Sequence, residues 1–191
     1  MHPGLVIVFL WLGFLLSWWV GAAWSQQAEK LAGVRAELPY RLVLVVGAVL
    51  FAIPAHRYHG PFRLWYVTYN QAWICAALLF LGFSFAWWAR IHLGRLWSGW
   101  VTKKPDHQVI DTGPYAIVRH PIYTGLLLAI YATAAAKGTV LGLVGAALLT
   151  ASFWLKARLE ENWLRQELAQ GDYDAYRRRV PMLLPFIRWP S

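Results

Sequence analysis

The sequence predicts an all-α integral membrane protein of about five transmembrane helices, with cytoplasmic C-terminal helices and no Rossmann fold. Three observations carry this. Of the 191 residues, 59% are apolar and only 14% are charged, where soluble domains average about 25% charged. The apolar residues fall in long runs rather than in an amphipathic pattern. The Lys and Arg residues flank those runs mainly on one side.

A helix needs about 20 apolar residues to cross the hydrocarbon core. Leu5–Trp24 supplies the first span. No Lys or Arg precedes it, which argues against reading it as a signal peptide cleaved at "AWS". Tyr40–Ala55 is shorter and is expected to begin a few residues earlier. Gln71–Ala89 is the third. Ile122–Ala136 and Thr139–Lys156 are separated only by Lys137 and Gly138, so helices four and five form a tight hairpin.

With the N-terminus outside, 15 of the 18 Lys and Arg residues fall in inside segments, a strong asymmetry. Arg90–Pro121 and the C-terminal tail then share the cytoplasmic face of what is expected to be a bacterial or archaeal inner membrane. Trp18, Trp19 and Trp24, and Trp87, Trp88, Trp97 and Trp100, cluster at span ends, where indole rings favour the headgroup level. This topology also explains the net charge of +9 without a nucleic-acid partner.

The chain reads as one domain, 1–191. Residues 1–89 hold the N-terminal helices, and 90–191 hold the polar, chemistry-bearing part. "GTVLGLVG" (Gly138, Gly142, Gly145) reads as close helix packing. No two glycines stand two residues apart, so the dinucleotide fingerprint is absent. The single cysteine, Cys75, excludes an internal disulfide. The six histidines include no i,i+4 pair, and no metal site is expected.

The polar residues form two cytoplasmic groups. One is "ARIHLGRLWSGWVTKKPDHQVIDTGPYAIVRHP", the other "KARLEENWLRQELAQGDYDAYRRRVPMLLP". The hairpin returns both to one face, so Arg119–Pro121 and Arg158–Glu161 should be neighbours. Pro121 suits a first helical turn. The helix N-terminus, with Arg119 and His120, makes a carboxylate or phosphate site, though an ordinary interfacial Arg and a capping His would look the same. Glu160 and Glu161 point about 100° apart on a helix, so they are expected to serve different surfaces. Glu161 has an i,i+4 partner in Arg165. Glu160 has none at i+4, where Leu164 stands, which favours a functional role. Leu155, Leu159, Trp163 and Leu168 form an apolar stripe. Gly171 and Asp172 suit a helix end and the cap of the next helix.

"TGPYAIVRHPIYTG", "RLEENWL" and "YDAYRRRVPMLLP", with "LGRLWSG" upstream, resemble the isoprenylcysteine carboxyl methyltransferase family, integral-membrane enzymes related to the phospholipid N-methyltransferases. The resemblance covers Leu93 to Pro185. It implies S-adenosyl-L-methionine as methyl donor, held on the cytosolic side, and a lipophilic acceptor entering from the bilayer. It also implies cofactor contacts from Gly113, Tyr115, His120, Pro121, Tyr123, Glu160 and Glu161, with Arg119 and Glu160 as catalytic residues. Tyr173 and Tyr176 are further aromatic partners for the adenine or sulfonium. Arg95, Trp97 and Trp163 are expected at the acceptor, with Trp100 helping to exclude water. An amine acceptor would need a base, Glu160 or His92.

Two other classes fit parts of the pattern. Steroid-reductase-like membrane enzymes carry a similar Arg–His–Pro–x–Tyr–x–Gly motif and use a nicotinamide cofactor. They place Glu after the glycine, where this chain has Leu126. The other is a non-enzymatic membrane protein. The sequence specifies neither the acceptor, a prenylated cysteine carboxylate or another lipid, nor the oligomeric state.

Overall fold

The computed structural model describes the chain apart from residues 1, 24–29, 32, 58–59, 95–96, 98–101, 104–109, 168–171 and 188–191. The helices are α1 (Pro3–Ala22), α2 (Val34–Ala52), α3 (Tyr69–Leu93), the short α4 (Pro114–Ile117), α5 (Pro121–Lys137), α6 (Val140–Glu167) and α7 (Asp172–Arg179). Two-residue segments β1 (Lys30–Leu31) and β2 (Thr102–Lys103) pair antiparallel. The architecture is all-α in substance.

Local chemistry sets the helix ends. Pro3 opens α1, and the His2 ring accepts from the Gly4 N–H at 3.2 Å. Thr68 and Gln71 form a reciprocal capping box at the start of α3, satisfying two donors left free at a helix N-terminus. α2 starts at Val34, six residues before Tyr40, and runs through Pro39.

Among the described residues, three helices are long and apolar enough to cross a membrane: α1, α3 and the Val140–Gln166 part of α6, with mean hydropathies of 2.2, 1.8 and 1.7. Their outward faces carry large apolar side chains such as Leu16, Trp19, Phe80 and Leu81, all more than half exposed. In water this would be an aggregation hazard; in lipid it is the expected solvation. The chain is an integral membrane protein. At 28 residues, α6 extends about 42 Å, beyond the roughly 30 Å hydrocarbon core. Its polar last turns therefore project past the apolar layer as one unbroken helix.

α3 packs on α5 and α2 on α6, while α1 leans on α3 and α5 meets α6. Glycines make these approaches close. A Cβ on Gly82 would lie 2.5 Å from the Gly125 carbonyl and 2.9 Å from Ala129 N. A Cβ on Gly145 would lie 2.7 Å from Phe51 N. The packing reading of "GTVLGLVG" thus holds at Gly145, whereas Gly138, at φ 60°, caps α5 in the left-handed conformation.

Only Gly138 and Thr139 separate α5 from α6. Contacts from Tyr131 to Thr150 (3.0 Å) and from Tyr123 to Glu160 (2.7 Å) show the two helices running antiparallel. At the hairpin tip, Lys137 Nζ donates to the carbonyls of Phe51 and Ile53, and Trp65 Nε1 donates to Ala135 O at 2.8 Å. This closes one end of the bundle. The other end gathers the C-terminus of α3, the N-terminus of α5, the second half of α6, and α7.

Candidate functional site

The site is built on the stretch that enters α5. Gly113 sits at φ 57°, and a Cβ there would meet the His92 ring at 2.8 Å; the His92 ring also hydrogen-bonds the Thr112 hydroxyl at 2.9 Å. Tyr115 is buried, and its carbonyl accepts from the Tyr176 hydroxyl of α7 at 2.7 Å. Val118 is extended. The chain then runs beside the tail: Arg119 N donates to Pro181 O at 2.8 Å and His120 N to Met182 O at 3.1 Å. Pro121 takes the first helical position, and Thr124 Oγ1 donates to Leu183 O at 2.6 Å. The tail thereby straps the motif in place.

Against this strap lie the two glutamates of α6. Arg119 Nε donates to Glu161 Oε1 at 2.8 Å, and its Nη1 donates to the carbonyls of Arg177 and Val180. His120 Nε2 lies 3.2 Å from Glu161 Oε1, and its Nδ1 3.5 Å from Glu160 Oε2. Tyr123 donates to Glu160 Oε1 at 2.7 Å. Lys156 Nζ stands 3.9 Å from the same oxygen. Arg177 Nε is 3.2 Å from Glu161 Oε2, an ion pair without hydrogen-bond geometry, and this buried nitrogen has no hydrogen-bond acceptor among the described residues. Trp163 Nε1 is a second buried donor with no acceptor among the described residues.

Stacking fixes the rings. His120 lies on Tyr123 at 5.4 Å and 5°, and Tyr123 on Phe153 at 5.2 Å and 3°. Burial acts to lower the His120 pKa, but hydrogen bonds and charge from Glu160 and Glu161 outweigh it and hold it above its ordinary value. Burial also pushes the hydroxyls of Tyr115, Tyr173 and Tyr176 up, so all three stay protonated donors at neutral pH.

The structure thus joins Arg119, His120, Pro121, Tyr123, Glu160 and Glu161 in one place, and the expected contact between Arg119–Pro121 and Arg158–Glu161 is made. Gly113 and Tyr115 lie at its edge, on the α3 side. Trp163 shares α6 with the glutamates. Trp97 stands apart from them, stacked over Arg90 at 3.6 Å. Tyr173 and Tyr176 pack against each other and Val180. Arg95, Trp24, Trp100, Leu168 and Gly171 lie outside the described residues, as does the side chain of Asp172.

Two expectations are corrected. Glu160 and Glu161 do not serve unrelated surfaces. The imidazole carries nitrogens on opposite edges, so one ring between α5 and α6 reaches both carboxylates despite their 100° offset. Glu161 does not pair with Arg165 either. It is buried and faces Arg119, His120 and Arg177, while Arg165 pairs with Asp174 at 2.9 Å. A tertiary partner in a dry setting outcompetes an exposed i,i+4 pair worth a few tenths of a kcal/mol. Lys156 was missed as a site residue, although helical periodicity read toward the N-terminus from Glu160 finds it at i−4. The roles of Arg177 and of the Val180–Leu183 carbonyls had no signal beyond their place in "YRRRVPMLLP".

Comparison with known proteins places these residues. The model of the isoprenylcysteine carboxyl methyltransferase family matches residues 74–166, which include Arg119, His120, Glu160 and Glu161. The chain is 30% identical over 122 residues to the nickel-cobalt-cadmium resistance protein NccN of Alcaligenes xylosoxydans xylosoxydans, covering 61% of this chain and 54% of that one. It is 41% identical over 73 residues to a methanethiol S-methyltransferase of Crocosphaera subtropica, covering 38% and 28%. A methanethiol S-methyltransferase 2 of Bradyrhizobium diazoefficiens is 45% identical over 71 residues, covering 37% and 26%. The matches thus span about half or less of these curated relatives. The matched segment holds the hairpin and both halves of the joined polar cluster, and over that segment this membrane chain is similar to the isoprenylcysteine carboxyl methyltransferase family.

Proposed function

We propose that the protein is an S-adenosylmethionine-dependent membrane methyltransferase acting on a lipophilic acceptor that reaches the site from the bilayer. One observation carries the reading. The residues that the fold joins across the α5–α6 hairpin, Arg119 and His120 with Glu160 and Glu161, all lie within the family-matched segment.

The donor set suits the cofactor. S-adenosylmethionine presents a carboxylate, an ammonium and ribose hydroxyls. Glu160 keeps part of its carboxylate accessible and would take the ammonium or a ribose hydroxyl. The unsatisfied Nε–H of Arg177 and Nε1–H of Trp163 would take oxygen acceptors, since a buried donor without a partner is costly. Arg119 and His120 orient Glu161 and complete the positive end of the site.

When bound, the cofactor supplies a methyl group on a sulfonium whose leaving group is a neutral thioether. Alignment therefore dominates, and it can contribute on the order of 7–11 kcal/mol to the barrier reduction. Tyr123, held between His120 and Phe153, fixes the direction of Glu160. An ionised carboxylate or thiolate acceptor needs no base; an amine acceptor would lose its proton to Glu160. The name shared by two relatives adds small thiols to the prenyl-cysteine and lipid acceptors that the family name suggests.

With the N-terminus outside, this end of the bundle faces the cytoplasm. The test is binding of S-adenosylhomocysteine and of NADPH to the purified protein, followed by mass spectrometry of products from labelled S-adenosylmethionine with prenyl-cysteine, phospholipid and methanethiol. Saturable S-adenosylhomocysteine binding is expected. Saturable NADPH binding in its place would reverse the assignment to a reductase.

A further inference from the structure

A second, separate feature lies at the same end of the bundle, on its α1–α3 side. Arg90, in the last turn of α3, is only 1% exposed. Its Nη2 donates to the Gly21 carbonyl near the end of α1 at 2.5 Å. Its Nε and Nη1 are buried and have no hydrogen-bond partner among the described residues. Trp97 lies over the guanidinium at 3.6 Å, and Trp18 at 5.6 Å. The two indoles meet edge to face at 5.5 Å.

A guanidinium does not shed its proton to escape burial, and a buried cation without an anion is strongly disfavoured. The tryptophan faces offer cation–π attraction but no hydrogen-bond acceptor. The two idle N–H groups form one edge of a fork that fits a pair of oxyanion oxygens. An ionisable group held like this at the margin of a membrane helix marks a functional site with a missing partner.

We propose that Arg90, framed by Trp18 and Trp97, binds the phosphate oxyanion of a lipid headgroup. Three arguments favour a lipid. The indole cluster of Trp18, Trp87 and Trp97 marks headgroup depth. The neighbouring cluster, Ala89, Leu93, Ile122 and the indoles, is largely apolar, and the hydroxyls of its two tyrosines are already donated, Tyr115 to the Ala89 carbonyl and Tyr123 to Glu160. The contacts of Glu160 and Glu161 go to Arg119, His120, Tyr123, Lys156 and Arg177, and Arg90 is not among them. Trp97 lies over the guanidinium, and that ring must move aside to admit the headgroup.

The experiment uses the full-length protein in neutral detergent, titrated with phosphatidylglycerol. Tryptophan emission is read alongside retained lipid by native mass spectrometry. Saturable phosphatidylglycerol binding is expected, with phosphatidylcholine, which carries the same phosphodiester, able to compete for it. Arg90→Gln should weaken it roughly ten- to hundred-fold, the scale of a charge-assisted hydrogen bond. Arg90→Lys, which keeps the charge and protects the fold, should weaken it less, and Trp97→Phe should retain it. Equal binding by wild type, Arg90→Gln and Arg90→Lys overturns the proposal. An Arg90-dependent response to inorganic phosphate alone, without phosphatidylglycerol retention, overturns the lipid as source. Loss of S-adenosylhomocysteine affinity in Arg90→Gln with unchanged lipid retention transfers the site to the cofactor and overturns it too.

Discussion

His120 Nε2 and Arg119 Nε converge on the same oxygen, Glu161 Oε1, at 3.2 and 2.8 Å. One carboxylate oxygen on α6 therefore holds two consecutive residues from the entry to α5, some forty positions earlier in the chain. The neighbouring carboxylate, Glu160, meets the other nitrogen of the same ring at 3.5 Å. The two glutamates thus divide the work. Glu161 is buried and locked by protein partners, and Glu160 remains partly open.

That division predicts opposite phenotypes. Glu161→Gln leaves the Arg119 and Arg177 cations facing a neutral amide in a dry site. Breaking a buried ion pair in this way costs about 3–5 kcal/mol, and the retained amide oxygen places this variant at the lower end. Arg119→Lys should also destabilise, because lysine cannot reproduce the donors that engage Glu161 and two tail carbonyls. Thermal unfolding in detergent without ligand reads both. An unchanged midpoint in Glu161→Gln would show that the cluster does not hold the hairpin to the tail.

Glu160→Gln should behave differently. It preserves shape and still accepts from Tyr123, but it removes the charge offered to the cofactor. Affinity for S-adenosylhomocysteine should fall by roughly 1.5–3 kcal/mol, about ten- to hundred-fold, with little change in ligand-free melting. Calorimetric titration decides; wild-type affinity would remove Glu160 from the cofactor contacts.

The sign of the pH dependence follows from His120. Its folded-state pKa is raised above the ordinary 6.5, so folding favours the imidazolium. The stabilisation is fully present below 6.5 and fades as pH rises through the elevated value. The stability gap between wild type and His120→Gln should therefore be widest under mildly acidic conditions and narrow upward. A gap that widens with rising pH would mean that the ring is neutral between the two carboxylates.

Gly82→Ala tests the α3–α5 contact that carries the motif. The new methyl group would press on the Gly125 carbonyl and on the Ala129 backbone, neither of which can swing aside as a side chain does. Overpacking costs about 1–3 kcal/mol, and here it also shifts the N-terminus of α5. A drop in melting temperature with a parallel loss of S-adenosylhomocysteine binding is expected. Normal behaviour in both would mean that the helices separate freely.

Composition and run length determined the membrane class, the apolar helices and the two-residue hairpin connection, because hydrophobic stretches and turn residues act locally. The hairpin also made the meeting of Arg119–Pro121 with Arg158–Glu161 legible, since a short connection forces antiparallel neighbours. Helix-end and pairing chemistry singles out Arg119, His120, Pro121, Glu160 and Glu161, whereas cofactor roles for Gly113, Tyr115 and Tyr123 follow only from family resemblance. What only the tertiary structure decided is who pairs with whom. Glu161 abandons Arg165, Glu160 finds Lys156 and Tyr123, the Pro181–Leu183 carbonyls strap the motif, and Arg90 is left with idle donors. These outcomes depend on which groups are buried together, and burial strengthens an ion pair or penalises an unpaired charge by far more than an exposed helical contact is worth. No local rule along the chain carries that information.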